Sequence, residues 1–208
     1  MKEYIIIMAD VIGSSDADQG ELMLAFKKLV KEANTALKFV SPLTITLGDE
    51  FQGVVNTVAE SVKVLIWLEE MIARQNLNFK LRYVTVEGLI ETPINKEIAY
   101  GMLGDGLTRA RKYLENLKND EFRFFFWLKD QGQHKALNNV FTALQEIIDD
   151  WNITRDYYLI NAFLEFNSYK RVAMELKKER SLMWKRRKSL KINAYLALKE
   201  VANYITHA

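Results

Sequence analysis

The chain has 208 residues, 49% hydrophobic and 12% aromatic, enough for a substantial core, and its lack of cysteine excludes disulfides and thiolate metal sites. No apolar run reaches the roughly 18 residues that span a bilayer, and Met1-Lys2-Glu3 lead straight into a strand without a leader pattern, so a soluble, cytoplasmic protein with no membrane partner is expected. The formal charge of +2 is unevenly spread: residues 169–191 hold ten Lys/Arg against two acidic residues, a local +8, leaving −6 on the rest of the chain.

Tyr4 to Met8 is a short, continuously apolar run, the pattern of a strand buried on both faces, and it surfaces at Asp10. Leu22, Phe26, Leu29, Val30, Ala33 and Leu37 recur at helical spacing and predict an amphipathic helix over residues 19–39, closed by Pro42. Leu43 to Leu47 alternates and turns at Gly48-Asp49 into Phe51 to Val55, a tight hairpin. A second helix carries Val58, Val62, Leu65, Ile66 and Ile72, and a long strand follows from Phe79 to Gly88 or Ile90. The order βαββαβ predicts an α+β fold, a ferredoxin-like or palm sheet with its helices on one face.

Residues 91–104, with Pro93, Asn95, Gly101 and Gly104, read as a loop; Leu107, Ala110, Leu114 and Leu117 mark a helix and Phe122 to Trp127 a strand. Asp130 to Gln133 is expected to turn into a helix over about 135–150. No β-pattern follows Trp127, which suggests an α+β domain over 1–130, a connecting helix over 131–154 and an all-α domain over 155–208.

Two aspartates stand at the ends of β-rich runs, Asp10 and Asp49, and neighbouring strands would bring both to one rim. Magnesium prefers oxygen ligands and is commonly held by one or two carboxylates plus substrate phosphates, so the pair predicts a Mg²⁺ site. Gly13, Ser14 and Ser15 let backbone N–H groups turn toward an anion ahead of a helix, which outlines a site for a nucleoside triphosphate or related nucleotide. His134 and His207 lie too far apart for a zinc site, and no P-loop pattern is present.

In the C-terminal region, Tyr157 to Leu164, Tyr169 to Leu176 and a segment from Leu182 read as three short helices, with Ser168 and Ser181 as caps. Val172, Ala173, Leu176, Met183 and Leu190 would form the core side. Lys185, Arg186, Arg187 and Lys188 are expected to face outward, as in a helix-turn-helix that contacts double-stranded DNA, with Trp184 buried against Tyr195. Lys177-Lys178-Glu179 replaces the usual turn glycine, and Arg187 falls where a second apolar anchor is common.

The stretches Ala9 to Ser14, Ile45 to Gly53 and Gly104 to Arg111 resemble the SatD family, in which a class III nucleotidyl cyclase-like domain precedes a helix-turn-helix. Asp10-Val11-Ile12-Gly13-Ser14 is similar to the segment after the first cyclase strand, and Thr46-Leu47-Gly48-Asp49 to the second metal-binding hairpin. The resemblance implies Asp10 and Asp49 as metal ligands, and Val11, Ile12, Gly13, Ser14, Ser15 and Gly48 around the nucleotide. It also puts Thr108 and Lys112 where cyclases carry a catalytic asparagine and arginine, with Arg111 one step away, and Ile45 where adenylate cyclases carry a purine-selecting lysine.

Metal positions kept and transition-state positions replaced imply nucleotide binding without cyclase activity. The expectation is a homodimeric regulator that binds nucleotide and Mg²⁺ and carries a DNA-binding helix-turn-helix. The alternatives are an active nucleotidyl cyclase or nucleotide hydrolase, and a degenerate scaffold acting through protein partners.

Overall fold

The computed structural model describes residues 2–13 and 19–207. Five strands, β1 (Glu3–Ile12), β2 (Ser41–Leu47), β3 (Glu50–Val55), β4 (Lys80–Leu89) and β5 (Phe124–Trp127), form one mixed sheet in the order β2-β3-β1-β4-β5. All neighbours are antiparallel except β4 and β5. The helices are α1 (Gln19–Ala36), α2 (Val58–Arg74), α3 (Asp105–Leu117), α4 (Gln131–Asp149), α5 (Ile153–Phe166), α6 (Tyr169–Glu175), α7 (Arg180–Ser189) and α8 (Ile192–Ile205). None among the described residues is long and apolar enough to cross a membrane.

The central strand explains the layers. Side chains alternate along β1, so Ile5, Ile7, Ala9 and Val11 enter the core shared with α1 and α2, while Ile6 and Met8 pack with Leu107, Ala110 and Leu114 of α3 on the other face. Helices therefore cover both faces, not one as the βαββαβ order suggested, because a strand continuously apolar from Tyr4 to Ala9 needs an apolar partner on each side. The helix α3 lies flush on the sheet: a Cβ on Gly88 would come within 2.5 Å of the Gly106 Cα, so only glycine permits this approach.

Caps fix several helix starts. Thr57 and Glu60 form a reciprocal capping box at α2. The Asp130 carboxylate accepts from the Gln133 N–H at 2.7 Å, so residues 131–133 are the first turn of α4 rather than a free turn. Ser168 caps α6 as expected, but α7 starts at Arg180 with Glu179 as its N-cap, ahead of Ser181.

The C-terminal helices continue the core. One buried cluster runs from the sheet through Leu137, Phe141 and Phe163 to Val172, Met183, Leu190 and Tyr195. The residue pair Glu69 and Glu70 of α2 ties both sides of it: Glu69 accepts from Tyr83 at 2.8 Å and pairs with the buried Arg123, and Glu70 accepts from Tyr195 at 3.0 Å and pairs with Lys199.

Candidate functional site: a charged rim and a basic helix face

At the end of β1, Asp10 stands in register with Glu50 of β3 and Arg82 of β4. Directly opposed residues share a face, so all three project on the α3 side of the sheet. Asp10 is only 3% exposed, and one Arg82 nitrogen (Nη1) donates to both of its oxygens, at 2.9 and 2.8 Å. Arg111 on α3 donates to Glu50. Lys118, just beyond α3, has its Nζ 3.9 Å from Asp10 and 3.8 Å from Glu50, and pairs with Glu115 at 2.9 Å. Burial pushes the Asp10 carboxyl up from 3.8 to about 6; Arg82 and Lys118 pull against this and Glu50 adds to it. Hydrogen bonding to Glu115 raises Lys118 above the ordinary lysine value.

Gly48 and Asp49 make the two-residue turn between β2 and β3, where Leu47 pairs with Glu50. The Val11 N–H donates to the Asp49 carbonyl at 3.0 Å, so this turn lies at the same rim as Asp10. Gly13 follows β1 with φ 70°, a left-handed conformation suited to glycine. Val11 is buried, whereas Ile12 and Gly48 are exposed. Ser14 and Ser15 lie outside the described residues.

The second charged region is α7. Met183, Arg186, Arg187 and Leu190 follow the i, i+3, i+4, i+7 rule and form its inner stripe. Arg186 pairs with the buried Asp156 of α5 at 2.5 Å; Arg187 donates to Asn193 at 2.7 Å and to Asn167 at 2.5 Å, and burial lowers its pKa. The outward placement of all four basic residues is thus corrected: Lys185 and Lys188 are exposed, while Arg186 and Arg187 turn inward because they fall on the helix face that meets α5. Trp184 is 44% exposed with the Lys188 ammonium 4.0 Å over its ring, and the aromatic partner of Tyr195 is Trp151 instead.

The sequence matches the SatD family over residues 4–206, nearly its whole length. The chain belongs to the SatD family. No curated protein matches it. Among solved structures, a bacterial light-regulated adenylyl cyclase is similar at 12% identity over 60% of this chain and 74% of that one, with a TM-score of 0.43. The guanylate cyclase domain of RhGC from Catenaria anguillulae in complex with GTP is similar at 15% identity over 55% of this chain and 72% of that one, with a TM-score of 0.32.

In this SatD chain the rim gathers Asp10, the Gly48-Asp49 turn and, of the three positions considered on α3, Arg111. Thr108 is exposed and returns its hydroxyl to the Gly104 carbonyl at 3.2 Å, and Lys112 is exposed. Three rim residues had no assigned role in the sequence reading: Glu50, Arg82 and Lys118. Arg82 reads as the polar half of an alternating strand, and only its register against Asp10 reveals it. The rim supplies the carboxylate oxygens of Asp10 and Glu50 and the oxygens of the Asp49 turn, a hard-donor set whose chemistry suits Mg²⁺. Both oxygens of Asp10 are engaged by Arg82, however, and no group of three or more His, Cys, Asp or Glu among the described residues is placed to hold a metal.

Proposed function

We propose that this SatD-family chain is a nucleotide- and Mg²⁺-binding regulator that contacts double-stranded DNA through a helix-turn-helix formed by α6 and α7, acting as a homodimer. The observation that carries the nucleotide half is the meeting of Asp10 with the Gly48-Asp49 turn at one rim, through the 3.0 Å bond from Val11 to the Asp49 carbonyl. Asp10 and Asp49 would hold the metal, which would neutralise phosphate charge. Arg82, Arg111 and Lys118 are the cations at this rim, and a phosphate chain would draw on them once the metal engages the carboxylates.

Thermal unfolding with ATP or GTP, with and without Mg²⁺, tests this reading. Nucleotide and Mg²⁺ together should raise Tm by several degrees, and Asp10→Ala or Asp49→Ala should remove the gain. A gain that survives both substitutions would discard the metal assignment. Analysis of products after long incubation separates a sensor from a cyclase or hydrolase, and the replaced positions Thr108 and Lys112 favour the sensor.

One observation favours a degenerate scaffold as the second reading: Arg82 already engages both oxygens of Asp10 with hydrogen bonds, as a resident counter-ion would. On that reading neither nucleotide nor Mg²⁺ moves the transition.

A further inference from the structure

Of the ten Lys and Arg side chains in residues 169–191, five have evident partners. Arg186 is held by Asp156, Arg187 by two asparagines and Lys191 by Asp150 at 2.6 Å, while Arg171 lies over the Phe166 ring and Lys188 over the Trp184 ring. Lys188 and the remaining five, Lys170, Lys177, Lys178, Arg180 and Lys185, are exposed and form no ion pair among the described residues. Their charge is therefore turned to solvent along this stretch of the chain, with Glu175 and Glu179 as the acidic exceptions.

That surface has an order. Ser181, Trp184, Lys185 and Lys188 follow the same i, i+3, i+4, i+7 rule as the inner stripe, displaced to the opposite side of α7, so two lysines and an exposed tryptophan line one outer edge. The turn before α7 adds Lys177 and Lys178, with Lys177 held at φ 51° so that the chain can reverse between the two helices. The inner stripe presents this edge rigidly: buried Met183 and Leu190 and the two tethered arginines fix α7 against α5 and α8.

We propose that double-stranded DNA is contacted by this outer edge, with Lys177, Lys178, Lys185 and Lys188 neutralising phosphates and Trp184 giving apolar contact inside the groove, while Arg186 and Arg187 only position the helix. The assignment rests on the DNA-binding reading above and replaces its basic quartet with a different set. The ten residues of α7 span about 15 Å at 1.5 Å per residue, and a single helix of this kind enters a major groove about 12 Å wide. An anionic lipid surface fits less well, because a helix lying in a membrane interface needs a broad apolar face, and α7 exposes only Leu182 and Trp184 as large apolar side chains.

The test is fluorescence anisotropy of the full chain with a 30-base-pair duplex of mixed sequence, titrated across salt concentrations, alongside flotation with phosphatidylglycerol vesicles. Each lost phosphate contact reduces the slope of log affinity against log salt by about 0.9, so Lys185→Ala with Lys188→Ala should flatten it by about 2. Trp184→Ala should weaken binding about tenfold and leave the slope alone. Arg186→Gln should lower Tm and leave the slope alone; Arg186→Lys, which keeps the charge, should recover much of that loss. A slope untouched by the lysine pair, or reduced as much by Arg186→Gln, overturns the assignment while leaving DNA binding in place. Capture by vesicles with no duplex binding at low salt overturns the DNA reading itself.

Discussion

The rim and the α7 face are both crowded with charge, and they treat it oppositely. At the rim Asp10 has Arg82, Glu50 has Arg111, and Lys118 stands within 4 Å of both. On α7 the ion-paired charges are those turned inward, and the outer lysines are exposed with no carboxylate partner among the described residues. A cation fixed by its own chain stabilises the fold and reaches a ligand only by changing partner, whereas an unpaired lysine is available at once and contributes almost nothing to stability. Composition lists both groups as the same residues; what separates them is whether a carboxylate stands opposite.

The largest expected effect breaks the rim. Arg82→Gln leaves a buried carboxylate without its counter-ion and should cost about 3–5 kcal/mol in urea denaturation. Combining it with Asp10→Asn should restore most of that loss, and failure to do so would mean that Arg82 matters for something other than this pair. Next is the clamp that holds α7: Asp156→Asn releases Arg186 and weakens the contact of Arg155, and should cost on the order of 2 kcal/mol.

A smaller effect concerns pH. Burial raises the Asp10 carboxyl from 3.8 to about 6, against the pull of Arg82 and Lys118 and with the push of Glu50. Between those values the folded chain binds more protons than the unfolded one, so this contribution to stability is present in full below pH 4 and fades as pH rises through 6. Asp10→Asn should flatten the stability profile in that window, as followed by denaturant midpoints at successive pH values. The smallest effect sharpens the contrast: Lys185→Ala with Lys188→Ala should leave stability within about 0.5 kcal/mol of the parent, since neither residue has an ion-pair partner. A larger loss would show that the outer edge of α7 is part of the fold after all.

Much of the architecture was legible because periodicity reports directly on burial. The apolar positions of α1 and α2, the hairpin turn at Gly48-Asp49 and the order of the first six elements all follow from repeats of 2 and 3.6. The apolar run in β1 already demanded a covered second face, yet the expectation of helices on one face set that demand aside; α3, packed on Ile6 and Met8, is what answers it. Rotation around α7 was harder to place, because an inner position filled by arginine looks polar in sequence even when Asp156 or Asn167 waits opposite it.

The sequence by itself determined which segments are strands and helices, that Asp10 and Asp49 end β-rich runs, and that basic charge gathers near the C-terminus. Those properties depend on local alternation and composition, which a linear chain displays openly. Only the tertiary structure decided that Arg82 answers Asp10, that Arg111 and not Lys112 reaches Glu50, and that two of four neighbouring cations on α7 point inward. Each of these depends on strand register or helix rotation against a partner distant in the chain, and both are set by how whole elements pack together.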